Sequence, residues 1–345
     1  PADIPGPIRF DSSRGSITFA GVTRLRGGLD LSGEFRNPFV GDRVGNEARF
    51  AGLSAQVDQP LVLGTNSTLT FDQAVPAQLP GLAADSGSRL QGRGGFSVEG
   101  KSHLDKAILA GGGTMRFRGP TKAVNLSVEG PSAPARPKVV EFDGDTSIEG
   151  THFLRQTLLR VGTKGTLSVT GGGDWRLNST PGSVQMANFG VVRHLATSRS
   201  SFEFNFVNQG QFEVVAGEVA FPARSGFTQV AGVTTIRGGH LNADTTLRGG
   251  VFRLESGQFS GFLAFFDGRL ELPPNATLTG PLRVSGGILE LPPATLTVAS
   301  LVHTNGTLRL AGGTLVASGG YQSQTPAILT GHGTLETRGG GSAEI

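Results

Sequence analysis

Residues 268–274 read Gly-Arg-Leu-Glu-Leu-Pro-Pro, and residues 287–293 return them almost unchanged as Gly-Ile-Leu-Glu-Leu-Pro-Pro. A glycine followed by alternating apolar residues also opens Gly210-Phe212-Val214, Gly250-Phe252-Leu254 and Gly306-Leu308-Leu310, with a weaker copy at Gly232-Thr234-Ile236. From Gly232 onward these glycines lie 18, 18, 19 and 19 residues apart. Upstream, Gly94-Phe96-Val98 and Gly113-Met115-Phe117 keep the 19-residue step, while Gly15-Ile17-Phe19 and Gly165-Leu167-Val169 stand singly. Self-similarity at so short a period marks a repeat architecture.

Alternation with period two sends one set of side chains inward and the other outward, so each copy is a short strand. The unit is too short for a propeller blade of about 40 residues and lacks the leucine-rich consensus. The pattern predicts an all-β chain, a parallel β-helix or β-solenoid with coils of about 18–20 residues, each pairing only with its neighbours. Roughly 17 such coils at about 4.8 Å each make a rod of the order of 80 Å. Phe212, Ile236, Leu254, Leu272, Leu291 and Leu310 are expected to stack in one buried column. The intervening Glu213, Thr235, Arg253, Glu271, Glu290 and Arg309 are expected to form an exposed ladder in which Arg253 meets Glu271 and Glu290 meets Arg309.

Composition fits such a chain. Of 345 residues, 54 are Gly and 19 Pro, 37% are hydrophobic and 17% charged, which allows a core and excludes collagen. There is no Cys, which removes disulfides, thiolate catalysis and Cys-ligated zinc. A net charge of +3, spread singly, argues against nucleic acid. No stretch approaches 18 uninterrupted apolar residues, so membrane insertion is not expected. The 22 Phe against one Tyr and one Trp read as core. Along the chain, residues 1–130 carry degenerate coils, 131–138 (Pro-Ser-Ala-Pro-Ala-Arg-Pro-Lys) a loop or boundary, and 139–345 further coils that are most regular from about 200. Residues 152–160 read as one or two helical turns or as an irregular strand.

The run Asn-Gly-Thr-Leu-Arg-Leu-Ala-Gly-Gly-Thr-Leu-Val at 305–316 and Gly-Gly-Ile-Leu-Glu-Leu at 286–291 resemble the repetitive β-helical surface proteins of bacteria, of the autotransporter-passenger and filamentous-haemagglutinin type. The resemblance covers about 200–345. It implies an extracellular or cell-surface structural or adhesive rod, non-enzymatic and without a cofactor, with surface glycans as possible partners.

Rival chemistries have definite residues. Gly95-Phe-Ser-Val-Glu-Gly-Lys101-Ser102 satisfies the phosphate-loop spacing, and Val139-Val140-Glu141-Phe142-Asp143 faintly resembles its magnesium strand. The preceding Ser88–Gly94 is no buried apolar strand, however, and Phe96 and Val98 already belong to the coil pattern. Glu141, Asp143 and Asp145, with Glu149 nearby, share one face if extended, and are a weak calcium or acid/base candidate against a solvated Asp-Gly turn. A β-helical polysaccharide-active enzyme or carbohydrate-binding module is the alternative function, to be recognised by a groove that collects two carboxylates and aromatic platforms. His103, His152, His194, His240, His303 and His332 lie too far apart for a local metal pair, and no Gly-x-Ser-x-Gly elbow occurs. Trp175 is read as a sugar platform or, more simply, a partly buried ring. Asn66, Asn125, Asn178, Asn275 and Asn305 sit in Asn-x-Ser/Thr, as glycan acceptors or as left-handed corner residues. The sequence of the last turn, 331–341, is coil-like without a capping helix, so further coils of a parent chain or copies of the protein are expected to stack on it.

Overall fold

The structure, a computed structural model, describes residues 2–6, 8–9, 16–19, 22–26, 29–31, 35–36, 43–44, 47–51, 54–73, 75–131, 137–177, 184–222, 225–339 and 342–343. Among these there is no helix. The chain is all-β, with three parallel sheets that form a β-solenoid of about 14 turns. It divides into two compact units, Pro1–Met186 and Ala187–Ile345.

In the first unit a turn runs Phe96–Val98 on face A, Ser102–Asp105 on face B and Ile108–Ala110 on face C. Each strand pairs in parallel with its equivalent one turn on: Phe96 with Met115, Ser102 with Thr121, Ile108 with Ser127. Apolar rings stack inside, with Phe50, Phe71, Phe96, Phe117 and Phe142 in file at centroid separations of 5.5, 5.1, 5.9 and 5.8 Å. The second unit repeats the plan, and Phe206 pairs with Phe227, Phe212 with Thr234 and Val219 with Leu241.

Corners are set by residues that tolerate positive φ. At Gly95 (φ 67°) a Cβ would run into the Thr114 carbonyl of the next turn, which is why this position takes glycine. Asn66, Asn125 and Asn275 turn other corners at φ 58°, 49° and 59°. Asn125 Oδ1 also accepts a bond from Thr151 N at 2.8 Å, tying its corner to the next.

Three expectations change. There are about 14 turns, not 17, because some coils are long: Val22 pairs with Ser54, and Met115 with Val140, where the repeat step is 18 or 19. Residues 132–136 of the Pro-rich stretch lie outside the described residues, but the strands on its two sides stack directly, Thr114–Phe117 against Lys138–Phe142. Residues 152–160 are strands His152–Arg155 and Thr157–Val161, bent at Gln156, whose φ is 46°. Neither proline nor a helix-favouring face opposes extension there.

The buried column is two columns. Phe212 lies level with Thr234, Phe252 and Leu270, while Val214 lies level with Ile236 and Leu254. Phe212, Ile236, Leu254, Leu291 and Leu310 are buried, but Leu272 is only half-buried, because it sits where face B ends. Phe212→Ala is therefore expected to cost about 3–5 kcal/mol in urea unfolding, and Leu272→Ala less than about 2 kcal/mol. Equal costs at the two sites would contradict this packing.

Candidate functional site

The outward ladder on face B follows the expected register, Glu213, Thr235, Arg253 and Glu271 in line. Arg253 Nε holds Glu271 at 2.6 Å, and Arg193 holds Glu213 at 2.9 Å. Thr235 is buried at 5% exposure under these longer neighbours, a departure from the expected exposed rung. Glu290 and Arg309 pair in register, with an N–O distance of 3.5 Å.

Between Glu271 and Glu290 the ladder stops. Strand Arg269–Glu271 is the last of face B, and Gln258–Ser260 is the last of face C, whereas face A continues through Leu263–Phe265 to Leu282–Leu291. Two features of the repeated heptapeptide explain the break. Pro273 and Pro274 have no N–H for a ladder, and equivalent coils would set Glu271 directly against Glu290. A cleft of about 740 Å³ opens instead, lined by residues 268–272 on one wall and by Ile288, Leu289, Glu290 and Pro292 on the other. It gathers two carboxylates, each already held by arginine: Glu271 by Arg253 and Arg269, Glu290 by Arg309. No aromatic side chain lines it. A carboxylate ion-paired in the open lacks the apolar pocket that makes a general acid.

The other sequence candidates are now placed. Phe96 and Val98 of the phosphate-loop look-alike point into the core, and Ser102 begins strand Ser102–Asp105, not a helix, so no amide cradle forms. Glu141, Asp143 and Asp145 do not share a face: Glu141 ends the strand on face A, Asp143 and Gly144 turn the corner, and Asp145 starts face B. Arg116 donates to Glu141 Oε2 from Nε (3.0 Å) and Nη2 (2.8 Å) and lies 3.4 Å from Asp143, occupying the place a cation would take. Glu149 pairs with Lys122 at 2.9 Å. Trp175 is 3% exposed and packs on His152 with centroids 4.7 Å apart, so it offers no platform. Asn66, Asn275 and Asn305 are exposed, Asn125 is half-buried, and Asn178 lies outside the described residues.

Sequence reading missed a serine–histidine pair. His194 Nε2 lies 2.9 Å from Ser200 Oγ and its Nδ1 2.9 Å from the Ala216 carbonyl, the geometry of an oriented base and nucleophile. Both residues are 0% exposed, so the pair closes an interior network that no substrate reaches. It also missed an interior amide ladder: Asn188 Nδ2 donates to Asn208 Oδ1 (2.7 Å), Asn208 Nδ2 to Gln229 Oε1 (2.8 Å), and Thr234 Oγ1 to the same Gln229 oxygen (2.5 Å). A second surface feature lies on face C of the first unit, where hollows of about 660 and 460 Å³ share Thr70, Asp72 and Gln91.

Buried titratable groups tune stability. Lys138 is 0% exposed, donates to the Ala110 carbonyl at 3.1 Å, and is pushed by burial down to about 7. Burial likewise pushes His152 down to about 4. In comparisons with protein-family models, curated proteins and solved structures, nothing matches the chain.

Two outcomes follow. Arg116→Ala, which strands the nearly buried Glu141, is expected to cost about 1–3 kcal/mol, with Glu141→Gln recovering part of it in a double-mutant cycle. Lys138 binds its proton less tightly when folded than when unfolded, so stability should rise with pH between about 7 and 10.5. Lys138→Met should flatten that rise and stabilise the protein at pH 7 by on the order of 4 kcal/mol, as read by urea melts across the range.

Proposed function

We propose that this chain is a non-enzymatic structural or adhesive β-solenoid that works outside the cell or at its surface. The carrying observation is how the reactive side chains are used. The cleft carboxylates are tied to arginines, and the oriented serine and histidine are sealed in the core. The likeness of residues 286–291 and 305–316 to autotransporter-passenger and filamentous-haemagglutinin repeats supports the same reading and suggests a bacterial surface role.

Assembly belongs to this proposal. Leu329 continues the inward column of Leu289 and Leu308, both buried, yet is 47% exposed. Strand Ile328–Thr337 pairs on one side with 307–317, and among the described residues nothing pairs on its other side. Such an edge accepts further coils, of the parent chain or of another copy. A carbohydrate-binding module is the second reading, favoured by the adjoining hollows on face C with their Thr, Gln and Asp side chains.

Sedimentation velocity and electron microscopy over rising concentration are expected to show assemblies that Leu329→Lys abolishes. A protein that stays monomeric throughout, and that remains so when carried in its full native polypeptide, speaks against assembly. Saturable binding of an oligosaccharide, lost on Gln91→Ala, favours the second reading.

A further inference from the structure

The cleft leaves two backbone edges without strand neighbours. Strand Arg269–Glu271 pairs only with Val251–Leu254, and residues 288–291 pair only with 307–310. A free edge is a template for an extended chain, whose main chain supplies the bonds while its side chains decide fit. The floor is closed by Leu270 and Leu289, at 8% and 1% exposure, and Ile288 at 61% exposure forms an apolar shoulder.

Charge across the opening indicates which chain fits. Down face B the outward positions read Arg253, Glu271, opening, Glu290, Arg309. The sign alternates on each side and repeats only at the opening, so the missing rung calls for a basic side chain. Arg269 also contacts Glu271, but is 75% exposed at its side chain and leaves the space between the two glutamates free. Three residues of strand fill about 480 Å³, from roughly 10 Å of length, 4.8 Å of width and 10 Å of depth. The cleft holds about 740 Å³. Proline on both walls, at 273 and 292, limits pairing to this short stretch.

We propose that the cleft binds an extended polypeptide segment of apolar-basic-apolar pattern, its backbone pairing with the free edge of Arg269–Glu271 and its basic side chain seated between Glu271 and Glu290. Leu308-Arg309-Leu310 is this chain's own example of the pattern. The site is separate from the edge at Ile328–Thr337, so its test is independent of the assembly described above.

The experiment is fluorescence anisotropy with a labelled peptide, Asn-Gly-Thr-Leu-Arg-Leu-Ala-Gly, a copy of residues 305–312. Saturable binding is expected, at least tenfold weaker when Glu replaces the peptide arginine. The E271K/E290K protein, checked for an unchanged circular dichroism spectrum, is expected to reverse that preference. If wild-type protein binds neither peptide, or binds both equally, the proposal fails. Should a second copy already fill the cleft, excess arginine peptide must dissociate the dimer seen in sedimentation; a dimer indifferent to the peptide and to E271K/E290K overturns it equally.

Discussion

Parallel, in-register pairing between successive turns is the constraint on which everything else rests. Each strand's backbone groups are satisfied by the turn before and the turn after, so a residue stands almost directly on its equivalent one turn away. The spacing is fixed near 4.8 Å, and this forces like onto like at every position. Inside, that is favourable: rings stack on rings, as in the file from Phe50 to Phe142, and burial stabilises the whole column. At corners it is restrictive, because the carbonyl of the next turn lies where a Cβ would be, as at Gly232 against Gly210.

Outside, the same rule makes charge a matter of sequence period. Arg and Glu that alternate from turn to turn give ladders such as Arg193–Glu213 and Arg253–Glu271, each pair worth little in water but together keeping the faces polar. Where two copies of the heptapeptide bring Glu onto Glu and Pro onto Pro, pairing on that face ceases. Face A carries the chain past the break because Leu263, Ala264 and Phe265 find Leu282, Arg283 and Val284 without such a conflict. The cleft is thus a direct product of exact repetition in a fold that stacks equivalents.

Polar groups in the core obey the same geometry. Asn188, Asn208 and Gln229 sit at equivalent places on successive turns, and each amide donates to the next, so a buried ladder satisfies itself. Lys138 has no equivalent above or below it and meets only a backbone carbonyl, which is why burial is felt as a lowered proton affinity.

The sequence by itself determined the fold class, the period, the inward and outward sets and the two ion pairs of the ladder, because period-two alternation and an 18–19-residue step are local properties that stacking merely propagates. It determined that Asn66, Asn125 and Asn275 suit left-handed corners, since that preference belongs to the residue. It did not determine which copy of a motif lies level with which, and so merged two columns into one. Nor did it show that Asp143 and Gly144 turn a corner between Glu141 and Asp145, or that Arg116 reaches both Glu141 and Asp143 from the turn before. His194 with Ser200, the buried amine of Lys138 and the cleft between Glu271 and Glu290 were decided only by tertiary structure. Each depends on where a corner falls and on which turns remain in contact, and no single stretch of sequence encodes either.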